Sequence, residues 1–513
     1  MLGQDVDPAE AARHHAAGWW GNLTVSACVA SHAVTRGDAA AFVTPEGSTT
    51  WSEYDTAADR VAGALQRAGV AAGDRVAVVL PDGPGVHAVF VGVERVGAVV
   101  VGVGARAGER EVAHLVGRTG ATVAVTDRDD VPVARRLTLA EALAGPAARR
   151  TGTEIGPDAL FLLNSTSGTT GLPKCVMHTQ NRWFYFHQLA VAAGELREAD
   201  VFLSAIPAPF GFGLWTAHFT PTILGAPTVV AERFDPRVTL DLIERERVTV
   251  LACVSTQFIL LLEAQAARAR DVTSLRVMFT GGEAVPYERA AEFEERTGAS
   301  VLQFYGSNET GALSRTTMTD SRERRLRSAG RTIPEMEVRL FDEAGTDITG
   351  TRGPGIPACK GPATCIGYWD DPEANAALFT DDGWMRMGDV VEIDEDGYVR
   401  VVGRVSDFII RGGKNISAPA VEDEVGTHPG VAVVAVVGVP DAVFGERVCA
   451  VVEARPGWEG LSLSEVTAHL AARGVTKEWW PERLVVVAEL PRSSGGKVAK
   501  GDLRRLVAEG AGL

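Results

Sequence analysis

Residues 164–174 read NSTSGTTGLPK and combine five hydroxyl side chains with two glycines and one lysine. The apolar run Ala159–Leu163 before it is typical of a buried strand. Glycine permits the left-handed backbone that turns successive N–H groups toward one anion, and Lys174 adds a positive charge. The stretch therefore predicts a phosphate-binding loop, with a plain surface turn of the same composition as the alternative.

The spacing of this loop excludes the P-loop of the Walker A type. That motif needs four residues between its glycines and a hydroxyl residue after the lysine, whereas two residues separate Gly168 from Gly171 and Cys175 follows Lys174. Pro173 lacks an N–H and disfavours helical geometry at the residue before it. We therefore expect no phosphate-capping helix directly after the loop.

Composition and charge narrow the class of protein. At 513 residues the chain is long enough for two or three domains, and its 46% hydrophobic and 23% charged residues are typical of a globular protein. The formal net charge of −16 argues against nucleic acid or an anionic membrane as the main partner. The six cysteines show no C-x-x-C spacing, and the longest apolar stretch, 86–103, is interrupted by Glu94 and Arg95. We expect a cytoplasmic protein with reduced thiols and no membrane span.

The pattern along the chain predicts an α/β fold. Helical spacing at 54–68 ends at Gly69 and is followed by a buried strand at 74–80, and a helix at 86–96 ends at Gly97. Such alternation indicates mainly parallel sheets covered by helices. After Gly403 the sequence becomes rich in glycine and charged residues. This change in composition predicts a large N-terminal domain over 1–403 and a small α+β domain over 404–513, with a helix starting at Glu422.

Four further segments carry candidate functional residues: YGSNE (305–309), GWMRMGD (383–389), GRVSDFIIRGGKNIS (403–417) and PRSSGGK (491–497). Taken singly, Glu309 could be a carboxylate at a helix N-terminus, Asp389 a turn residue and Lys497 a solvated charge. In this order and spacing, together with the 164–174 loop, they resemble the ANL superfamily of adenylate-forming enzymes over nearly the whole chain. Residues 367–369 and 477–484 look most like benzoate- and cyclohexanecarboxylate-type CoA ligases.

The resemblance implies a fold and an activity. It implies a large domain of layered α/β subdomains and a small mobile C-terminal domain that rotates about Asp407 between two half-reactions. The implied activity is ATP- and Mg²⁺-dependent conversion of an acid to its adenylate with release of pyrophosphate, followed by transfer to coenzyme A. In that scheme Lys497 is the catalytic lysine, Glu309 the metal ligand and Thr169 a hydroxyl donor to phosphate.

The resemblance also assigns binding residues. Tyr305 is implied to lie against adenine, Asp389 to accept the ribose hydroxyls and Arg404 to contact the ribose or its phosphate. Gly412 and Gly413 are implied to line a tunnel for pantetheine. The remaining implied nucleotide-binding residues are Ser165, Thr166, Ser167, Gly168, Thr170, Gly171, Lys174, Gly282, Glu283, Ala284, Gly306 and Asn308.

Three positions depart from the family pattern. Asn308 stands where the family usually has Thr, which puts the local α-phosphate contact in doubt, and Met387 replaces Thr before Gly388-Asp389. Phe210 stands where a histidine is common, in PAPFGFG (207–213). With Phe212, Trp215 and Phe258 it predicts a flat apolar pocket for an aromatic or alicyclic acid, and ordinary core packing is the alternative.

The acceptor of the activated group stays open at this stage. Coenzyme A is the first candidate, a separate carrier protein is the second, and an aryl amine that receives activated nitrite in a diazotase reaction is the third. A binding module without turnover is the alternative from another class of protein. The expected partners are the small acid, ATP and the acceptor, and a homodimer is left open.

Overall fold

The computed structural model describes residues 6–148, 154–165, 173–282, 285–342, 344–351, 353–404, 408–411, 414–441, 443–492 and 498–508. Helices and strands alternate over most of this range. The helices are α1 (Pro8–Ala16), α2 (Val25–Thr35), α3 (Trp51–Arg67), α4 (Pro84–Arg95), α5 (Glu109–Thr119), α6 (Leu139–Ala144), α7 (Gln180–Gly194), α8 (Gly211–Gly213), a π-helix (Leu214–Phe219), α9 (Thr220–Leu224), α10 (Pro236–Glu246), α11 (Ser255–Ala267), α12 (Tyr287–Thr297), α13 (Arg322–Arg327), α14 (Pro372–Leu378), α15 (Ala418–Gly426), α16 (Leu463–Ala472), a 3₁₀ turn (Lys477–Trp479) and α17 (Lys500–Ala508).

Within the described ranges, the strands form five sheets. In chain order they are β1 (Ala40–Val43), β2 (Ser48–Thr50), β3 (Arg75–Val79), β4 (Val99–Gly102), β5 (Val123–Thr126), β6 (Arg135–Leu137), β7 (Leu160–Ser165), β8 (Cys175–Thr179), β9 (Phe202–Ser204), β10 (Thr228–Val229), β11 (Val250–Ala252), β12 (Val277–Gly281), β13 (Ser300–Ser307), β14 (Gly311–Arg315), β15 (Arg331–Thr332), β16 (Glu337–Phe341), β17 (Ile356–Lys360), β18 (Gly367–Tyr368), β19 (Met385–Arg386), β20 (Asp389–Ile393), β21 (Val399–Arg404), β22 (Phe408–Arg411), β23 (Lys414–Ser417), β24 (Val431–Asp441), β25 (Gly445–Ala454) and β26 (Arg483–Val487).

Two large sheets form the centre of the N-terminal part. One has nine strands in the order β15-β14-β13-β12-β11-β9-β10-β1-β2, and the other has seven in the order β18-β8-β7-β4-β3-β5-β6. Strands β13, β12, β11, β9, β10 and β1 pair in parallel, as do β7, β4, β3, β5 and β6, while antiparallel strands sit at the edges. The prediction of an α/β fold with mainly parallel sheets is confirmed.

Smaller antiparallel sheets follow the two large ones. Strands β16, β17 and β19 form one sheet, and β20 and β21 form a hairpin that ends at Arg404. The last sheet has the order β23-β22-β25-β24, with β26 paired in parallel to β25. In the described part of the chain, this C-terminal sheet begins at Phe408, just past the predicted boundary after Gly403.

Local sequence signals explain where helices begin and end. Thr50 caps α3 by accepting the backbone N–H of Glu53, whose carboxylate accepts the backbone N–H of Thr50 at 2.8 Å. Gly69 and Gly97 follow α3 and α4 with φ of 86° and 77°, a left-handed conformation that glycine adopts without a steric cost. The predicted helix ends at these two glycines are therefore confirmed.

One prediction about local structure is wrong. Helix α15 begins at Ala418 rather than at Glu422, because the Ser417 hydroxyl caps it by accepting the backbone N–H of Ala420. In the 207–213 segment a turn over 208–210 leads into α8, and Phe210 occupies the position before this helix, which continues into the π-helix. A Cβ at Gly213 would lie 2.2 Å from the carbonyl oxygen of Pro207, so only glycine allows this close approach.

The interior contains paired charges and unbridged thiols. Arg95, 2% exposed, forms ion pairs with Asp55 and Asp59 at 2.5 and 2.8 Å, so the charges that interrupt the 86–103 stretch are buried. None of the six cysteines forms a disulfide, and all six are buried. Among the described residues, no helix is both long and apolar enough to cross a membrane.

We expect the centre of the seven-stranded sheet to be a main source of stability. Leu162 on β7 is wholly buried, so Leu162→Ala should lower the free energy of unfolding by about 2–5 kcal/mol through lost burial and a residual cavity. Leu23, which is 45% exposed, is the matched control. Leu23→Ala should change the free energy of unfolding by less than about 0.5 kcal/mol. Urea unfolding followed by tryptophan fluorescence measures both, and equal losses would contradict this account of the core.

Candidate functional site

The predicted phosphate loop connects β7 to β8. Ser165 is the last residue of β7, is buried, and pairs with Cys175, the first residue of β8. The chain therefore continues from the loop into a strand and not into a helix, as the proline predicts. Lys174 immediately precedes β8, with its Nζ 4.7 Å from the centre of the Tyr368 ring.

Tyr368 brings this lysine close to the predicted metal ligand. Its hydroxyl donates a hydrogen bond of 2.7 Å to Oε1 of Glu309. Burial and the neighbouring carboxylate raise the pKa of Tyr368, so the phenol stays protonated and acts as the donor. A cation, an aromatic ring and a carboxylate from three separate segments thus meet at one place.

The donor set at Glu309 fits Mg²⁺ held jointly with a phosphate ligand. Glu309 is partly exposed and supplies a carboxylate, the oxygen type that Mg²⁺ prefers. Within the described ranges, no group of three or more His, Cys, Asp or Glu side chains could hold a metal ion. A single protein carboxylate is typical of Mg²⁺ sites in which phosphate oxygens and water complete the coordination.

A second cluster joins β13 to the β20–β21 hairpin. The Tyr305 hydroxyl donates to Oδ2 of Asp389 at 2.9 Å, and Nε of Arg404 donates to Oδ1 of the same carboxylate at 2.9 Å. Asp389 is buried, and burial together with its carboxylate raises the pKa of Tyr305 well above the usual range. The structure therefore brings together three of the predicted nucleotide-binding residues.

Glycines border this second cluster. Gly281 of β12 pairs in parallel with Phe304 of β13, so the next residues, Gly282 and Tyr305, are neighbours. Gly282 has a φ of 80°. A Cβ at Gly306 would lie 1.7 Å from the carbonyl oxygen of Gly311, so no side chain fits at position 306.

Asn308, in the turn after β13, makes its side-chain contacts with the other large sheet. Its Nδ2 donates to Oδ1 of Asn164 at 2.7 Å, and Nδ2 of Asn164 donates to the carbonyl oxygen of Pro209 at 3.0 Å. A Cβ at Gly211 would lie 3.0 Å from Oδ1 of Asn308. The amide that replaces the usual threonine is thus engaged with the root of the loop and lies against the 207–213 segment.

The predicted aromatic pocket divides into two groups. Phe210 and Phe212 are partly exposed, and Phe212 stacks on Trp215 at 5.6 Å between ring centres. Trp215 is only 2% exposed and meets Phe279 edge-on at 5.1 Å, so it supports the segment from the core.

Phe258 does not join the other three aromatic residues. It is wholly buried and packs against Phe293 in a separate hydrophobic cluster. The structure therefore places this ring in the core between α11 and α12, apart from Phe212 and Trp215.

Sequence reasoning missed four residues of the site. Asn164 and Tyr368 lie in segments that the resemblance used, yet no role was predicted for them, and His178 and Arg182 were not singled out. Arg182 is 1% exposed and His178 is wholly buried. The four-residue spacing between His178 and Arg182 carries little information by itself, because burial of a cation follows from the tertiary structure.

Other predicted site residues lie outside the described residues. They are Thr166, Ser167, Gly168, Thr169, Thr170, Gly171, Glu283, Ala284, Asp407, Gly412, Gly413 and Lys497.

Comparison with known proteins identifies the family. The AMP-binding enzyme family matches residues 29–369, and the AMP-binding enzyme C-terminal domain matches residues 420–497. The salicylyl-CoA synthase / salicylate adenylyltransferase of Streptomyces sp is 34% identical over 540 residues, with 98% of this chain and 97% of the relative covered. The medium-chain fatty-acid–CoA ligase of Escherichia coli strain K12 is 30% identical over 520 residues, with 95% and 91% covered.

A solved structure supports the same fold. The anthranilate CoA ligase AuaEII in complex with anthranoyl-AMP matches with a TM-score of 0.86 at 24% identity, covering 96% of this chain and 99% of that one. The first family match spans both large sheets, and the second covers β24, β25 and β26 of the C-terminal sheet. The chain therefore belongs to the AMP-binding enzyme family, within the ANL superfamily of adenylate-forming enzymes.

Proposed function

We propose that this protein activates an aromatic or alicyclic carboxylic acid with ATP and transfers the acyl group to coenzyme A. The observation that carries the proposal is the presence of two polar clusters, Lys174–Tyr368–Glu309 and Tyr305–Asp389–Arg404, in a chain of this family. The first cluster offers charge and a metal ligand for phosphates. The second offers an aromatic ring and a carboxylate for a nucleoside.

The first half-reaction makes a poor electrophile reactive. A carboxylate oxygen of the acid attacks the α-phosphorus of ATP, the bond to the β,γ-phosphates breaks, and pyrophosphate leaves with the electron pair. The protein's part in this step is positioning and stabilisation of charge around phosphorus. We assign the 165–171 hydroxyls and Lys174 to the departing phosphates, Asp389 to the ribose hydroxyls and Tyr305 to adenine.

Glu309 would hold Mg²⁺, which neutralises phosphate charge when it is bound. The hydrogen bond from Tyr368 fixes one oxygen of this carboxylate. Lys497, on the C-terminal segment, would place its ammonium between the acid and the α-phosphate.

In the second half-reaction the thiol of coenzyme A attacks the acyl carbon and AMP leaves with one oxygen of the original acid. We propose that residues 1–403 bind the acid and ATP, while residues 404–513 rotate about Asp407 so that Gly412 and Gly413 line the path of pantetheine. The two family matches, which end and begin on either side of this boundary, support the division. Glycine lets a thin chain pass close to the backbone.

Pyrophosphate release tests this function directly. It should be measured with a panel of aromatic, alicyclic and fatty acids and with nitrite, each with and without coenzyme A. Release with a ring acid, accompanied by a thioester when coenzyme A is present, is the expected result. Adenylate without thioester would indicate a carrier protein as acceptor, and release with nitrite alone would indicate a diazotase.

Removing the Tyr305 hydroxyl should weaken nucleotide binding. Tyr305→Phe keeps the ring and deletes the hydrogen bond to Asp389, so the KM for ATP should rise about tenfold, the low end of what a bond to a charged group contributes. The matched control is Tyr398→Phe, which deletes a similar bond to Asp320 and should leave the KM unchanged. Equal effects in the two variants would contradict the role assigned to Tyr305.

Phe210 and Phe258 give a paired test of the acid pocket. Phe210→Ala should weaken binding of a ring-shaped acid by roughly 1–3 kcal/mol while the KM for ATP stays constant, because in this proposal the partly exposed ring lines the acid pocket. Phe258→Ala should leave the acid preference unchanged but destabilise the fold by about 3–5 kcal/mol, because that ring is wholly buried. KM values and melting temperatures of both variants show which ring contacts the acid and which only stabilises the fold. If Phe210→Ala lowered only the melting temperature, Phe210 would belong to the core.

Lys497→Ala should separate the two half-reactions. Losing one charge-stabilising donor should slow adenylation by a factor on the order of 10² to 10³. Thioester formation from synthetic acyl-adenylate should persist, because that step uses the other domain orientation. Equal loss in both half-reactions would overturn the assignment.

A further inference from the structure

A buried guanidinium lies directly behind the Asn308–Glu309 segment. Arg182 on α7 is 1% exposed, and its Nη1 and Nη2 donate to the carbonyl oxygens of Asn308 and Glu309 at 3.0 and 3.3 Å. Its Nε donates to the carbonyl oxygen of Ala363 at 2.9 Å. Burial lowers the pKa of Arg182 to about 10, so the group remains ionised at neutral pH.

His178 extends this contact to the root of the phosphate loop. Nη1 of Arg182 donates to Nδ1 of His178 at 2.7 Å, and Nε2 of His178 lies 2.7 Å from Oδ1 of Asn164. Since Nδ1 must accept from a guanidinium, the ring proton sits on Nε2 and is donated to Asn164. Burial and the adjacent arginine lower the pKa of His178 well below its usual value, which keeps the ring neutral.

Asn164 extends the chain of hydrogen bonds to the 207–213 segment, which is the acid side of the proposed site. Its Oδ1 also accepts from Asn308, and its Nδ2 donates to the carbonyl oxygen of Pro209, the residue before Phe210. One buried chain of hydrogen bonds therefore runs from the peptide that bears Glu309, through Arg182 and His178, to the segment that bears Phe210.

We propose that Arg182 and His178 are positioning residues that hold the Glu309 carboxylate and the Phe210 segment in register for adenylate formation. Arg182 fixes the direction of two successive carbonyl groups, and this sets the path of the backbone from which the Glu309 side chain projects. Groups that orient a metal ligand typically change metal affinity by 10- to 100-fold when they are replaced. The proposal rests on the proposed function, in which Glu309 holds Mg²⁺.

Arg182→Met tests the metal side of the proposal. Methionine has a similar length but makes none of the carbonyl hydrogen bonds. Binding of Mn²⁺ in the presence of a non-hydrolysable ATP analogue, measured by electron paramagnetic resonance, should weaken about 10- to 100-fold. Half-maximal adenylation should need a correspondingly higher Mg²⁺ concentration.

The matched control is Arg95→Met. Arg95 is also buried, but its partners are Asp55, Asp59 and Ser26. This variant should lower the melting temperature while Mn²⁺ affinity stays within about twofold of the unmodified protein. If the two variants shifted Mn²⁺ affinity equally, Arg182 would be only a structural residue and the proposal would be overturned.

His178→Phe tests the link to the acid side and also serves if Arg182→Met does not fold. It breaks the path to Asn164 but leaves the three carbonyl bonds of Arg182. The KM for the acid should rise about tenfold with a smaller change in Mn²⁺ affinity. An unchanged KM for the acid would overturn the proposed link.

The failure of this proposal can be told from failure of the proposed function. If the unmodified protein released no pyrophosphate with any acid, the proposed function would fail, whatever the variants did. If it released pyrophosphate and Arg182→Met bound Mn²⁺ normally, the positioning role alone would fail.

Discussion

The side-chain amide of Asn164 is the constraint on which the site depends. Asn164 is the second-last residue of β7, just before the predicted phosphate loop. Its amide makes hydrogen bonds to His178, to Asn308 and to the carbonyl oxygen of Pro209. Buried polar groups must be paired, and a buried network that is fully satisfied holds its members in one arrangement. Because its partners lie on different segments of the chain, this amide joins the end of β7 to Asn308, the residue before Glu309, and to Pro209, the residue before Phe210.

The architecture explains why these segments meet. In a mainly parallel sheet the strands end at a common edge, and side chains just past those ends converge there. Strand β7 of the seven-stranded sheet delivers Asn164, while β9 and β13 of the nine-stranded sheet lead toward the Phe210 segment and the Glu309 turn. The candidate site thus lies where residues from two sheets meet. The seven-stranded sheet contributes Asn164, and the nine-stranded sheet leads to Phe210 and Glu309.

Much of the fold could be predicted from the sequence, because its causes are local. The helix stops at Gly69 and Gly97 need only a left-handed glycine, and the α/β alternation needs only apolar periodicity. The 305–309 and 383–389 segments were recognisable as candidates, and the structure brings Tyr305 and Asp389 within hydrogen-bond distance.

The parts that could not be predicted have tertiary causes. Arg182 is charged and looks like a surface residue of α7, yet it is buried because carbonyl groups from two distant segments surround it. Phe258 and Phe212 look alike in sequence, but they pack in different hydrophobic clusters. Nothing local distinguishes an aromatic ring in the core from one at a cleft, so their roles separate only when the sheets are assembled.

The fate of one carboxylate oxygen of the acid distinguishes activation as an adenylate from other routes. An acid that the protein accepts should be labelled with ¹⁸O in its carboxylate and incubated with ATP, Mg²⁺ and coenzyme A, and the AMP formed should be analysed by mass spectrometry. Attack of the carboxylate on the α-phosphorus predicts one ¹⁸O atom in AMP and none in pyrophosphate. Label in inorganic phosphate, or AMP without label, would contradict activation of the acid as its adenylate.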